Sequence, residues 1–112
     1  MSGITTHVLD TARGRPAEGV PVTLEFECDG DWKVIGRGTT NADGRITQLT
    51  EAAKIEAGVY RLVFDTGTYF ANHTVEGFYP FVTVVFRIED AGQHYHVPLL
   101  LSNFGYSTYR GS

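Results

Sequence analysis

The sequence predicts an all-β fold, a sandwich of short strands forming one domain over residues 1–112. Three observations lead there. Val, Ile and Thr outnumber Leu, Ala and Met by 29 to 16, a bias toward side chains that suit a pleated, half-buried surface. Thirteen glycines break the chain into segments too short for long helices. Stretches of alternating apolar and polar residues recur between turn signals, at spacings of roughly ten residues. With 112 residues, two domains would each be too small to bury a useful core.

A first strand runs up to a short Arg/Gly/Pro turn at Ala12 to Pro16. Val20, Val22, Leu24 and Phe26 then alternate with Pro21, Thr23, Glu25 and Glu27, the period-two pattern of a half-buried strand. Asp29-Gly30-Asp31 turns it back into a returning strand from Trp32 to Thr40. Asn41-Ala42-Asp43-Gly44 is the next turn and delivers Arg45 as the chain leaves it. Residues 50–57 have room for one or two helical turns. Tyr60, Leu62 and Phe64 mark a further strand, closed by Thr66-Gly67, and Thr68 to Val75 is a short helix candidate. Val82, Val84, Phe86 and Ile88 share a strand face; Asp90-Ala91-Gly92-Gln93 reverses it. In the last clear strand Tyr95, Val97, Leu99 and Leu101 take one face, leaving His94 and His96 together on the other, away from the core. Many short strands and hardly a helix predict an antiparallel sandwich rather than a barrel.

Charge and composition exclude several functions. The net charge is −4, and no stretch gathers the Lys/Arg patch that nucleic acid or an anionic membrane surface requires. Cys28 is the lone cysteine, so no intramolecular disulfide forms, and a cysteine-built zinc site lacks ligands. The opening Met-Ser-Gly-Ile-Thr-Thr-His has no signal-peptide character, and no run approaches the ~18 apolar residues of a membrane span. The expected setting is cytoplasmic. Seven of the nine basic residues are Arg, whose planar fork of donors suits carboxylates and flat heterocycles.

Four histidines, His7, His73, His94 and His96, are the candidates for chemistry. His94 and His96 at i and i+2 have the spacing to grip a metal, with His7 as a third ligand. No acid or cysteine at ligand spacing supports that arrangement, so no metal and no cofactor is expected. The alternative is acid–base work by histidine, with arginine stabilising charge on a carbonyl oxygen. His73 has the look of a spectator. Neither a Gly-x-Ser-x-Gly elbow nor a phosphate-cradling loop is present.

Longer motifs add to this. Ile4-Thr5-Thr6-His7-Val8-Leu9-Asp10-Thr11-Ala12, continuing through Gly14-Arg15-Pro16-Ala17 to Val20-Pro21-Val22, resembles the opening of the 5-hydroxyisourate hydrolases, the transthyretin-related family of urate breakdown. His94-Tyr95-His96-Val97-Pro98-Leu99-Leu100-Leu101-Ser102 and the terminal Tyr109-Arg110-Gly111-Ser112 are similar to that family's closing signature. Asn41-Ala42-Asp43-Gly44-Arg45 and Phe78-Tyr79-Pro80 fit its middle. The resemblance implies a transthyretin-like sandwich of two four-stranded sheets with one short helix, assembled as a homotetramer with clefts at the dimer–dimer interface. It implies hydrolysis of 5-hydroxyisourate to 2-oxo-4-hydroxy-4-carboxy-5-ureidoimidazoline, with His7, Arg45 and His96 as the catalytic set. Ser112, Tyr109, Arg110 and Gly111 would bind substrate or shape the cleft, Ser112 through its hydroxyl and a chain-terminal carboxylate. Phe81, where the family commonly has an acid, and Asn103, where it commonly has proline, depart from the pattern away from that set. The rival from another class is a carrier like transthyretin, whose channel would be lined by apolar and small side chains.

Overall fold

The computed structural model describes residues 3–46, 48–50 and 54–112. Among these, eight strands and one helix follow in the order β1 (Gly3–Asp10), β2 (Arg15–Pro16), β3 (Pro21–Cys28), β4 (Asp31–Thr39), β5 (Gly58–Phe64), α1 (Thr66–Asn72), β6 (Val82–Ile88), β7 (His94–Leu101) and β8 (Tyr106–Thr108). They form two four-stranded sheets, ordered β2-β1-β7-β8 and β4-β3-β5-β6. This is the transthyretin-like sandwich with one short helix.

The period-two patterns place the core. Ile4, Val8, Tyr95, Val97, Leu99 and Leu101 point inward from the first sheet, and Val22, Leu24, Tyr60, Leu62, Phe64, Val82, Val84 and Ile88 from the second. The buried Thr6, Asp10, Thr40 and Thr66 side chains all find hydrogen-bond partners, as burial without them would cost too much. The Thr6 hydroxyl donates to the Val97 carbonyl at 2.6 Å, and Thr66 donates to that of Tyr79 at 2.9 Å. Asp10, only 3% exposed, accepts from the Tyr69 hydroxyl at 2.7 Å and from the Arg13 backbone N–H at 3.0 Å.

Three local expectations are corrected. The sandwich is not wholly antiparallel: β1 and β7 pair in parallel, from Gly3 opposite His94 to Asp10 opposite Leu101. The whole of the second sheet lies between them in sequence, so no tight turn constrains their relative direction. The helix begins at Thr66 rather than Thr68, because the Asp65 carboxylate accepts from the Thr68 N–H and caps it, and it ends at Asn72. The stretch expected to hold a helical turn at 50–57 has none among its described residues, 50 and 54–57; residues 51–53 lie outside the described set. The turn at Ala12 to Pro16 also carries a two-residue strand, β2, paired with the end of β1.

Candidate active site

Alternation on β1 and β7 turns Thr5, His7, His94 and His96 to the outer face of the first sheet, opposite the core. Because these two strands run parallel, Thr5 stands opposite His96 and His7 opposite Pro98. Each flanking segment adds one more residue. The 41–44 turn, closed by a Gly44 N–H bond to the Asn41 carbonyl, lays Arg45 against His7, and the Val8 N–H donates to the Gly44 carbonyl at 2.8 Å. Gly44 has φ +75°, and a Cβ there would collide with the Val8 carbonyl oxygen, so this approach requires glycine.

On the other flank the chain beyond β8 keeps pairing with β7. Leu99 faces Thr108, and His96 faces Gly111 in an isolated bridge, with the Gly111 N–H donating to the His96 carbonyl at 2.8 Å. Arg45, His7, His96 and the Gly111-Ser112 end thus come from four segments lying side by side.

They meet a cavity of about 460 Å³ lined by Thr5, Thr6, Arg45, Ile46, His94, His96 and Ser112. Of the residues singled out in the sequence, Arg45, His96 and Ser112 line it; His7 stands beside it, close enough for its charge to act on His96. Burial pushes the His96 imidazole below the ordinary histidine value of 6.5, and the charges of Arg45, His7 and His94 add to the effect. The neutral form of His96 is therefore favoured, beside the Arg45 guanidinium charge.

Arg110 is turned elsewhere. Its guanidinium lies 4.3 Å from the centre of the Tyr95 ring and donates to the Gln93 side-chain oxygen at 3.0 Å. Tyr109 and Arg110 together line a second, mostly apolar cavity of about 280 Å³ with Val84, Phe86 and Val97. His73 is remote from the cleft: Arg13 Nη1 donates to its Nδ1 at 2.7 Å, and its ring packs on Tyr69.

Thr5, Thr6 and Ile46 were not singled out from the sequence, and His94 only as half of a metal pair. For Thr5 a signal existed: it shares the outward face of β1 with His7 through the same two-residue alternation. Its Oγ1 lies 2.8 Å from His94 Nε2 and 2.8 Å from His96 Nδ1. Among the described residues no group of three or more His, Cys, Asp or Glu is placed to hold a metal ion. No helix in that set is long and apolar enough to cross a membrane.

Fold and site together define a transthyretin-type sandwich with a polar, histidine-bearing cleft on one outer sheet face. The HIUase/Transthyretin family model matches residues 4–111, and the chain belongs to that family. It is 46% identical over 109 residues to the 5-hydroxyisourate hydrolase of Salmonella dublin, covering 97% of this chain and 80% of the relative. The solved 5-hydroxyisourate hydrolase of Klebsiella pneumoniae superimposes with a TM-score of 0.85 at 40% identity, over 97% of this chain and 98% of that one. Sea bream transthyretin, solved in complex with thyroxine, superimposes with a TM-score of 0.90 at 35% identity, covering 96% and 93%.

Proposed function

We propose that this chain is a hydrolase that opens 5-hydroxyisourate by water attack on its lactam carbonyl, yielding 2-oxo-4-hydroxy-4-carboxy-5-ureidoimidazoline. The observation that carries the reading is the pairing of a neutral-biased His96 with the Arg45 cation on one cavity. Fold similarity alone does not separate an enzyme from a carrier, since hydrolases and a thyroxine-bound transthyretin share the sandwich. The lining does: one arginine, two histidines and two threonines suit a flat, carbonyl-rich heterocycle and not an apolar hormone.

Arg45 offers parallel donors to the substrate's carbonyl edge and stabilises the oxyanion as water adds. The neutral His96 takes the water's proton through Nε2, and His7 orients the water or protonates the departing nitrogen. Ser112 at the rim fixes the substrate. Gly111 leaves room for the His96 ring, and Tyr109 and Arg110 shape the cleft by holding the tail that carries Gly111 and Ser112. The whole chain acts as one hydrolase domain.

A homotetramer is the working form in this reading, with the cleft between dimers. The cavity opens from an outer sheet face, so a second subunit is what would roof it. β6 and β8 each lie at the edge of a sheet, and Val85 and Tyr106 on them are exposed.

The chemistry proceeds by acid–base and electrostatic means, without metal or cofactor. His94 Nε2 and His96 Nδ1 are both engaged by the Thr5 hydroxyl, which argues for hydrogen bonding as their use. A cytoplasmic setting accords with the unpaired Cys28. Faster decay of enzymatically generated 5-hydroxyisourate in proportion to added protein is the expected result; an unchanged decay revives the carrier.

A further inference from the structure

The outer face of the first sheet holds a feature that the reaction as described leaves unused. Thr5 Oγ1 sits between two imidazole nitrogens, 2.8 Å from each. A hydroxyl has one proton to donate, so the two rings cannot both accept from it. If Thr5 donates to His94 Nε2, then His96 must donate its Nδ1–H to Thr5, which leaves His96 Nε2 with a free lone pair for the cavity. If Thr5 donates to His96 Nδ1, then His94 donates, and the His96 proton sits on Nε2. Whenever the Thr5 hydroxyl donates to either ring, the tautomers of the two histidines are coupled in opposite senses. His94 is exposed and His96 half-buried, so the chain of three groups runs from solvent to the cavity.

We propose that His94, Thr5 and His96 form a proton relay, with Thr5 and His94 acting as positioning residues that set the protonation of His96. The inference rests on the hydrolytic reading of the same cleft. In the forward sense His96 Nε2 takes a proton from the attacking water, and His96 Nδ1 passes its own to Thr5. The Thr5 proton moves to His94 Nε2, and His94 releases its Nδ1 proton to solvent. This leaves His96 neutral with its proton on Nε2, poised as an acid. When the lactam nitrogen departs, it takes that proton, and the same steps run backwards from solvent to restore the starting tautomers. Every proton is accounted for, and His96 serves first as base and then as acid without carrying a lasting positive charge. That matters because the groups facing the pair, His7 from β1 and Arg45 from the adjoining turn, would oppose such a charge.

The test uses the full chain and its 5-hydroxyisourate decay assay across pH, in buffers with and without imidazole. Thr5→Val should lower kcat about tenfold or more with KM little changed, and should move the pH profile of kcat. Thr5→Ser, which keeps the hydroxyl, should restore most of the rate. His94→Gln, at an exposed position that does not threaten the fold, should lower kcat in a way that added imidazole buffer rescues; a purely structural role would show no such dependence. If the parent chain is active while Thr5→Val and His94→Gln both keep kcat, the relay is wrong and the hydrolase stands. A loss confined to Thr5→Val, with His94→Gln at full rate and no buffer effect, overturns it equally. An inactive parent chain overturns the hydrolytic reading, and the relay falls with it.

Discussion

A Cβ placed on Gly111 would lie 2.6 Å from His96 Cδ2, because the two residues face each other in the register that already pairs Leu99 with Thr108. The end of the chain and the histidine at the centre of the cleft are therefore fitted to each other. Gly111→Ala must displace either the ring or the tail. Misplacement of a reacting group by about 1 Å can cost on the order of 10²-fold. We expect turnover to fall by at least about tenfold, with the melting temperature barely moved because few core contacts lie this far along the tail. Parallel kinetics and thermal melts check it.

The same fit makes the tail separable from the fold. Removing Tyr109 to Ser112 should abolish most activity while leaving a cooperatively folding sandwich, since all four residues lie outside the buried core. Loss of cooperative unfolding in that truncated chain, followed by circular dichroism, would contradict the separation.

Single replacements should separate the cleft residues His7, Arg45 and His96 from His73. His7→Ala, Arg45→Ala and His96→Ala should each lower turnover by about 10²-fold or more, the scale of losing an acid–base group or an oxyanion donor. His73→Ala should leave turnover unchanged, since that ring lies against Arg13 and Tyr69, away from the cleft. Because His96 is held below the ordinary 6.5, its neutral form persists as pH falls past that value. The acid limb of kcat/KM should accordingly lie below pH 6.5. A limb at or above that value would remove His96 from the role of base.

Away from the cleft, Tyr69 ties the helix to β1 through Asp10. Burial, then the hydrogen bond and charge of Asp10, push the Tyr69 hydroxyl up to about 12. A raised value means that the folded state favours the protonated phenol. The resulting stability is complete below the unfolded value of 10 and is lost as pH rises from there through about 12. Tyr69→Phe leaves the buried Asp10 carboxylate one donor short and should cost about 1–3 kcal/mol in denaturant unfolding. It should also flatten the alkaline loss.

Chelation offers a check on the proposal that the reaction needs no metal. Dialysis against a strong chelator should leave turnover intact; loss of activity restored by zinc would favour the three-histidine site instead.

Much of this molecule is legible in its sequence because strands with one buried face write their period of two into the chain. Val22 to Phe26, Tyr60 to Phe64 and Val82 to Ile88 all read that way, and all three lie in strands of the second sheet. What alternation does not carry is direction: nothing in Ile4 to Asp10 or His94 to Leu101 tells that these strands run parallel. That pairing is what sets Thr5 opposite His96. The start of the helix was hidden for a different reason, since the Asp65 cap acts through one side-chain hydrogen bond and not through a pattern. Arg110 shows the limit of a motif: its place in the terminal tetrapeptide gave no hint that its guanidinium stacks on Tyr95.

Joint action of Arg45 and His96 on 5-hydroxyisourate is the core of the proposed reaction. It is tested most directly by generating that compound with urate oxidase and following its near-ultraviolet band against protein concentration, for the parent chain, Arg45→Ala and His96→Ala. The expected first-order decay constant rises linearly with the parent chain and stays near the spontaneous rate for both variants. A decay constant independent of protein, or equal slopes for all three, would contradict it.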